Sequence, residues 1–178
     1  MPEIMKIANY PDPVLRRRAH EVEDVDSALR DAVLRMAETM RVCKGVGLAA
    51  PQVGIDKRIV VFSPSTEKTE QQVLINPVIV DHRGAMEGEE GCLSFPGIFG
   101  TVRRSAHVVV AGYDLEGKEV EISGTDFLAR VLQHEIDHLE GMLLLDRMTP
   151  ESRILARDML KALEDAFGAE EAEAEERH

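Results

Sequence analysis

The sequence predicts an α+β fold: antiparallel β-strands packed around a central, metal-binding helix, with one helix at the N-terminal side and one at the C-terminal side. Three observations carry this. Apolar residues recur three and four positions apart near residues 27–42, 125–139 and 149–168, as helix faces require. Four segments rich in Val and Ile, 58–62, 73–80, 106–113 and 118–122, follow one another without strand–helix alternation, which argues against a parallel doubly wound sheet. Finally, 178 residues at 44% hydrophobic and 30% charged suit one domain with a real core. Residues 1–168 are read as that domain, and 169–178 as an acidic, disordered tail.

Composition narrows the function. The net charge of −12 argues against a nonspecific grip on nucleic acid or anionic lipid. No apolar run reaches the ~20 residues of a membrane span. The N-terminus, Met1-Pro2-Glu3-Ile4, does not read as a signal peptide. A cytoplasmic location is expected, where Cys43 and Cys92 stay reduced thiols or act as ligands rather than forming a disulfide.

In chain order, Pro2, Pro11 and Pro13 keep residues 1–23 irregular. Leu29, Val33, Met36 and Met40 trace one face of the first helix, with Asp24, Asp26 and Ser27 as capping oxygens. Gly45-Val46-Gly47-Leu48-Ala49-Ala50-Pro51-Gln52 is small and apolar, and its glycines let another group approach the main chain. It reads either as a loop packed under a sheet or as a cleft whose backbone pairs with an extended ligand, with Gln52 as its polar group. Residues 63–72 are a polar loop. Asp114-Leu115-Glu116-Gly117 turns the last two strands into a hairpin. Thr149-Pro150 starts the last helix, Leu155, Met159, Leu163 and Ala166 form its apolar face, and Gly168 is expected to end it.

The chemistry centres on Gln133-His134-Glu135-Ile136-Asp137-His138. On a helix, residues four apart share a face, so His134 and His138 can aim two imidazoles at one ion with Glu135 beside them to handle a proton. Phe127 and Val131 lead the same stripe, and Gly141 suits the helix end. The plain alternative is two core histidines and a solvated carboxylate. A catalytic site with an open position needs a third ligand. Leu144, at the position where one protease class carries its third His, cannot ligate. Glu164 offers a carboxylate from the last helix without a supporting pattern. Cys92, in the glycine-bordered Glu90-Gly91-Cys92-Leu93-Ser94, offers a thiolate. Cys43, His20, His82 and His107 remain formal alternatives, and a lone buried structural Cys is the ordinary reading of Cys92.

Taken together, the 45–52 stretch, the 90–94 stretch and the 133–138 stretch resemble, in order, the three signature motifs of the peptide deformylase family. Pro11-Asp12-Pro13-Val14-Leu15 is similar to that family as well, and the resemblance covers about residues 4–165. It implies that Cys92, His134 and His138 hold a divalent metal. Ferrous iron is the implied ion, with zinc, nickel or cobalt as alternatives. It implies hydrolysis of the N-formyl group from the initiator N-formylmethionine of newly made polypeptides, releasing formate. Metal-bound water would attack the formyl carbon with Glu135 as proton shuttle. The Gln52 side chain and the Leu93 backbone N–H would stabilise the oxyanion. Val46, Gly47 and Gly91 would pair with the substrate backbone, and Val131 would help form the methionine pocket. Glu90 would pair with Arg104 to brace the cleft. The implied partners are formylated nascent chains, with the enzyme a monomer that binds neither membrane nor nucleic acid directly.

Two departures stand out. Phe99 occupies the position seven residues after Cys92 where some relatives carry an Arg near the substrate's outer end. The C-terminus has Arg153, Arg157 and Lys161 but ends in Glu170, Glu171, Glu173, Glu175 and Glu176, unlike the basic helix by which some relatives touch the ribosome. Two other functions compete. A general metallopeptidase would cut internal bonds of unblocked peptides. A non-catalytic binder of nascent N-termini would keep its function without Glu135.

Overall fold

The structure is a computed structural model that describes residues 2–178. Its elements run α1 (Ser27–Val42), β1 (Gly47–Ala49), β2 (Ile59–Phe62), β3 (Gln72–Arg83), β4 (Met86–Gly91), β5 (Phe99–Arg104), β6 (His107–Tyr113), β7 (Glu119–Thr125), α2 (Asp126–Leu139), α3 (Leu144–Arg147) and α4 (Pro150–Glu176). Five strands form one antiparallel sheet in the order β1-β2-β3-β6-β7, and β4 and β5 form a separate antiparallel pair. This is the α+β architecture expected, with α2 at its centre.

Strand alternation explains why the sheet carries a helix on each face. Leu48 lies opposite Val61, and both pack toward Val33, Met36 and Met40 of α1. Ala49 lies opposite Val60, and both pack toward Ala129, Leu132 and Ile136 of α2. Leu132 and Leu139 are fully buried, and each contributes about 2 kcal/mol by leaving water. A third cluster joins Phe95, Ile98 and Val102 of the β4–β5 unit to Leu144 and Ala156.

Local signals set several boundaries. Asp26 accepts the Leu29 N–H at 2.8 Å and caps α1. Pro77 sits where the β3–β6 register slips between Ile75 and Val78, so its missing donor breaks no regular ladder. Asn76 beside it takes φ +50°, and its side chain is held by Val22 at 2.8 and 2.9 Å. The expected hairpin at 114–117 is closed by Asp114 Oδ1, which accepts the Glu116 and Lys118 N–H groups at 2.9 Å.

The structure differs from the sequence reading in several places, the short helix α3 among them. The 45–52 stretch contains β1 and a 3-10 turn, Ala50–Val53, rather than loop alone. Strands β4 and β5 were not expected, because Met-Glu-Gly-Glu-Glu-Gly has almost no apolar residues; cross-strand pairing and buried ion pairs hold it. The stop at Gly168 is absent, and so is the expected disordered tail at 169–178: α4 continues through Gly168 to Glu176. Ala and Glu are strong helix formers, and one exposed Gly costs only about 1 kcal/mol.

Candidate metal centre

Helix α2 starts just after Thr125 and lays its apolar face against the sheet. Val131, His134 and His138 therefore point inward, at 5%, 8% and 1% exposure. The two imidazoles meet with Nε2 atoms 3.3 Å apart. Cys92 leaves the end of β4 in a turn closed by the Phe95 N–H on the Cys92 carbonyl at 2.9 Å. That turn carries its Sγ to 3.4 Å from His138 Nε2. Ligand atoms of all three residues lie within 4.8 Å of one another. Tetrahedral bonds near 2.05 Å to nitrogen and 2.3 Å to sulfur would set N···N at about 3.3 Å and N···S at about 3.6 Å. The donor set therefore fits a divalent transition metal, and burial holds His138 well below its ordinary pKa, as a neutral ligand.

Around these atoms the sequence-distant partners assemble. Gln52, 1% exposed, is oriented at both ends of its amide. Its Oε1 accepts the Ala49 N–H at 2.8 Å, and its Nε2 donates to Ser94 Oγ at 3.0 Å and faces Cys92 Sγ at 3.6 Å. Glu135 packs over Gly47, where an added Cβ would stand 2.7 Å from its Cγ and Cδ. Glu135 Oε2 is buried without a hydrogen-bond partner. A cavity of about 450 Å³ opens beside this carboxylate, and its walls include Val46, Gly47, Gln52, Gly91, Leu93 and Val131. Every site residue expected from the sequence thus converges here.

A match to the family model of polypeptide deformylase spans residues 4–154. This chain belongs to the peptide deformylase family. It is 46% identical over 160 residues to the peptide deformylase of Thermodesulfovibrio yellowstonii, covering 89% of this chain and 97% of that one. It is 48% identical over 166 residues to that of Syntrophobacter fumaroxidans, covering 92% and 98%. Among solved structures, a Legionella pneumophila peptide deformylase is 43% identical with a TM-score of 0.85, covering 93% of this chain and 98% of that one. A Plasmodium falciparum peptide deformylase is 41% identical with a TM-score of 0.88, covering 92% and 98%. Membership places the chain among the metallohydrolases that remove the N-formyl group from newly made polypeptides.

In this chain a buried ion network braces the ligand helix. Glu90 accepts from Arg104 through both carboxylate oxygens at 2.9 and 3.0 Å, from Arg130 at 2.6 Å and from His134 Nδ1 at 2.9 Å. Burial opposes its ionisation, but the His134 and Arg104 hydrogen bonds outweigh it and hold the carboxyl far below its usual range. Arg104 also reaches Asp137. Glu135 has no such partner, and burial raises it to about 7. The contrast between these two carboxylates thus arises from environment alone: one stays ionised, the other can exchange a proton near neutrality. The sequence reading paired Glu90 with Arg104 but gave no role to Asp137 and Ser94, which it quoted only within their motifs, and did not name Arg130. Arg130 precedes His134 by four, so its place on that helix face was the available signal.

Proposed function

We propose that this chain carries out deformylation with Cys92, His134 and His138 as metal ligands and Glu135 as the proton carrier. The single observation behind this assignment is the buried, unpartnered Glu135 carboxylate beside the three convergent donor atoms and facing the cavity. When bound, the metal supplies Lewis acidity that activates water for hydrolysis. Glu135 takes a proton from the attacking water and later gives it to the leaving amine, a role suited to a group near pKa 7. The Gln52 amide, locked between Ala49 and Ser94, and the Leu93 backbone N–H donate to the oxyanion. Val46, Gly47 and Gly91 pair with the substrate main chain, and Val131 lines the methionine pocket, supported by their common place in the cavity wall.

The thiolate ligand favours ferrous iron as the physiological ion, with zinc, nickel and cobalt able to take its place, and makes the loaded centre sensitive to oxidation. Residues 1–168 act as one catalytic unit, a cytoplasmic monomer that meets N-formylmethionyl chains in solution. Among the described residues no helix is long and apolar enough to cross a membrane. The test is formate release from a formyl-Met tripeptide by protein loaded anaerobically, paired with elemental analysis. Release in proportion to bound metal is expected. Cleavage of internal bonds in an unblocked peptide, without formate release, would overturn the assignment.

A further inference from the structure

A second cavity, of about 430 Å³, lies on the neighbouring face of α2, lined by Gln133 and Asp137 in place of the ligand stripe. The end of β5 supplies Arg103 and Arg104, Ser105 follows it, the end of β3 supplies His82, and α3 supplies Arg147. In a chain of net charge −12, three arginines against one carboxylate in a single cavity is a local reversal of sign. That carboxylate is already committed: Asp137 pairs with Arg104 and takes two hydrogen bonds from Arg147 at 2.9 and 3.0 Å. Arg103 has no ion pair among the described residues, and Glu87, opposite it in the β4–β5 ladder, does not reach it. Further polar groups stand nearby, since the Ser105 hydroxyl and His82 Nδ1 lie 3.4 Å apart at the same rim.

We propose that this cavity, formed by Arg103, Arg147, Ser105 and His82 behind the catalytic helix, binds the phosphate group of a small molecule. Guanidinium forks match tetrahedral oxyanions with paired, charge-assisted hydrogen bonds, and a hydroxyl adds a further donor. A monocarboxylate would use one fork and leave the other cation unanswered. The volume falls in the range of small-ligand sites and exceeds a bare phosphate, so a monoester fits as well as the free ion. Arg147 can share its guanidinium between the ligand and Asp137, while Arg104 keeps Asp137 neutralised from the buried side. The site stands independently of the roles assigned in the catalytic cleft.

The test is calorimetric titration of the metal-loaded protein at constant ionic strength with inorganic phosphate, with glycerol phosphate and with formate. Saturable binding of phosphate is expected, with formate much weaker. Arg103→Ala should weaken phosphate about tenfold, the scale of one lost charge-assisted contact, and His82→Ala should weaken it less. Deformylation by Arg103→Ala without phosphate should be unchanged, because Arg103 touches no group of the cleft. A monoester that binds more tightly than the free ion would show that the rest of the cavity is used. Absence of saturable phosphate binding would overturn the proposal. So would undiminished binding by Arg103→Ala, equal binding of formate, or competition between phosphate and the formyl peptide.

Discussion

Glu90 and His134 are joined by a 2.9 Å hydrogen bond between Oε1 and Nδ1, although 44 residues separate them. The bond leaves His134 Nε2, the atom facing His138, free for the metal. Glu90 in turn is held by Arg104, with both side chains only 4% exposed. The position of a metal ligand thus depends on an ion pair built across the β4–β5 hairpin.

Glu90→Gln cannot accept the paired bond from Arg104 and leaves a buried guanidinium short of charge. A loss of about 3 kcal/mol is expected, along with metal affinity lower by about tenfold or more. Thermal unfolding of the loaded protein and competition with a chelating dye measure the two effects. Unchanged values for both would show that the network does not brace the ligand.

Glu135→Gln keeps the shape of the side chain and removes its basicity. The variant should bind metal normally and lose turnover by about 10²- to 10⁴-fold. Formate release and metal content, measured on the same sample, separate the two. Turnover near the parent level would remove Glu135 as the proton carrier.

Cys92→Ala deletes the sulfur that lies 3.4 Å from His138 Nε2. Metal content should fall below one-tenth of the parent after dialysis, roughly the weight of losing one of three ligands. The protein should remain folded by far-UV dichroism, since Cys92 is only partly buried. Full metal retention would place the ion elsewhere.

Tyr10 stacks on Phe95 with ring centroids 5.0 Å apart and donates its hydroxyl to Glu164 at 2.6 Å, tying the N-terminal segment to α4. Burial and the Glu164 contact raise its phenol from 10.0 to about 12. Folding therefore favours the protonated phenol. Its contribution is complete below pH 10 and is lost as pH rises toward 12. Tyr10→Phe should abolish a late step in tyrosinate absorbance and flatten the fall in stability between those pH values. A parent protein whose tyrosinate absorbance is complete near pH 10 would contradict the Glu164 contact.

Several elements were legible because their causes are local. The limits of α1 follow from Asp26 and the spacing of Val33, Met36 and Met40, and the structure reproduces them. The hairpin after Tyr113 follows from Asp114 and Gly117, the latter at φ +76°. Strand β4 was not legible, because Glu87, Gly88 and Glu89 carry no strand pattern and the segment is held by partners on β5. The end of α4 was misread at Gly168 because a single breaker was weighed above the helix-forming residues around it.

By itself the sequence determined that His134 and His138 share a face beside Glu135, since the geometry of a helix fixes residues four apart whatever surrounds them. The resemblance of three motifs then pointed to Cys92. Tertiary structure alone decided the rest: that Cys92 Sγ arrives within reach of His138, that Gln52 is clamped between Ala49 and Ser94, and that Arg130 joins the expected Glu90–Arg104 pair out of water. It also decided that Glu135 is pushed toward 7 while Glu90 stays charged. Both are glutamates in the same chain. What separates them is the desolvation and the neighbouring charge each meets, and those exist only once distant segments have packed together.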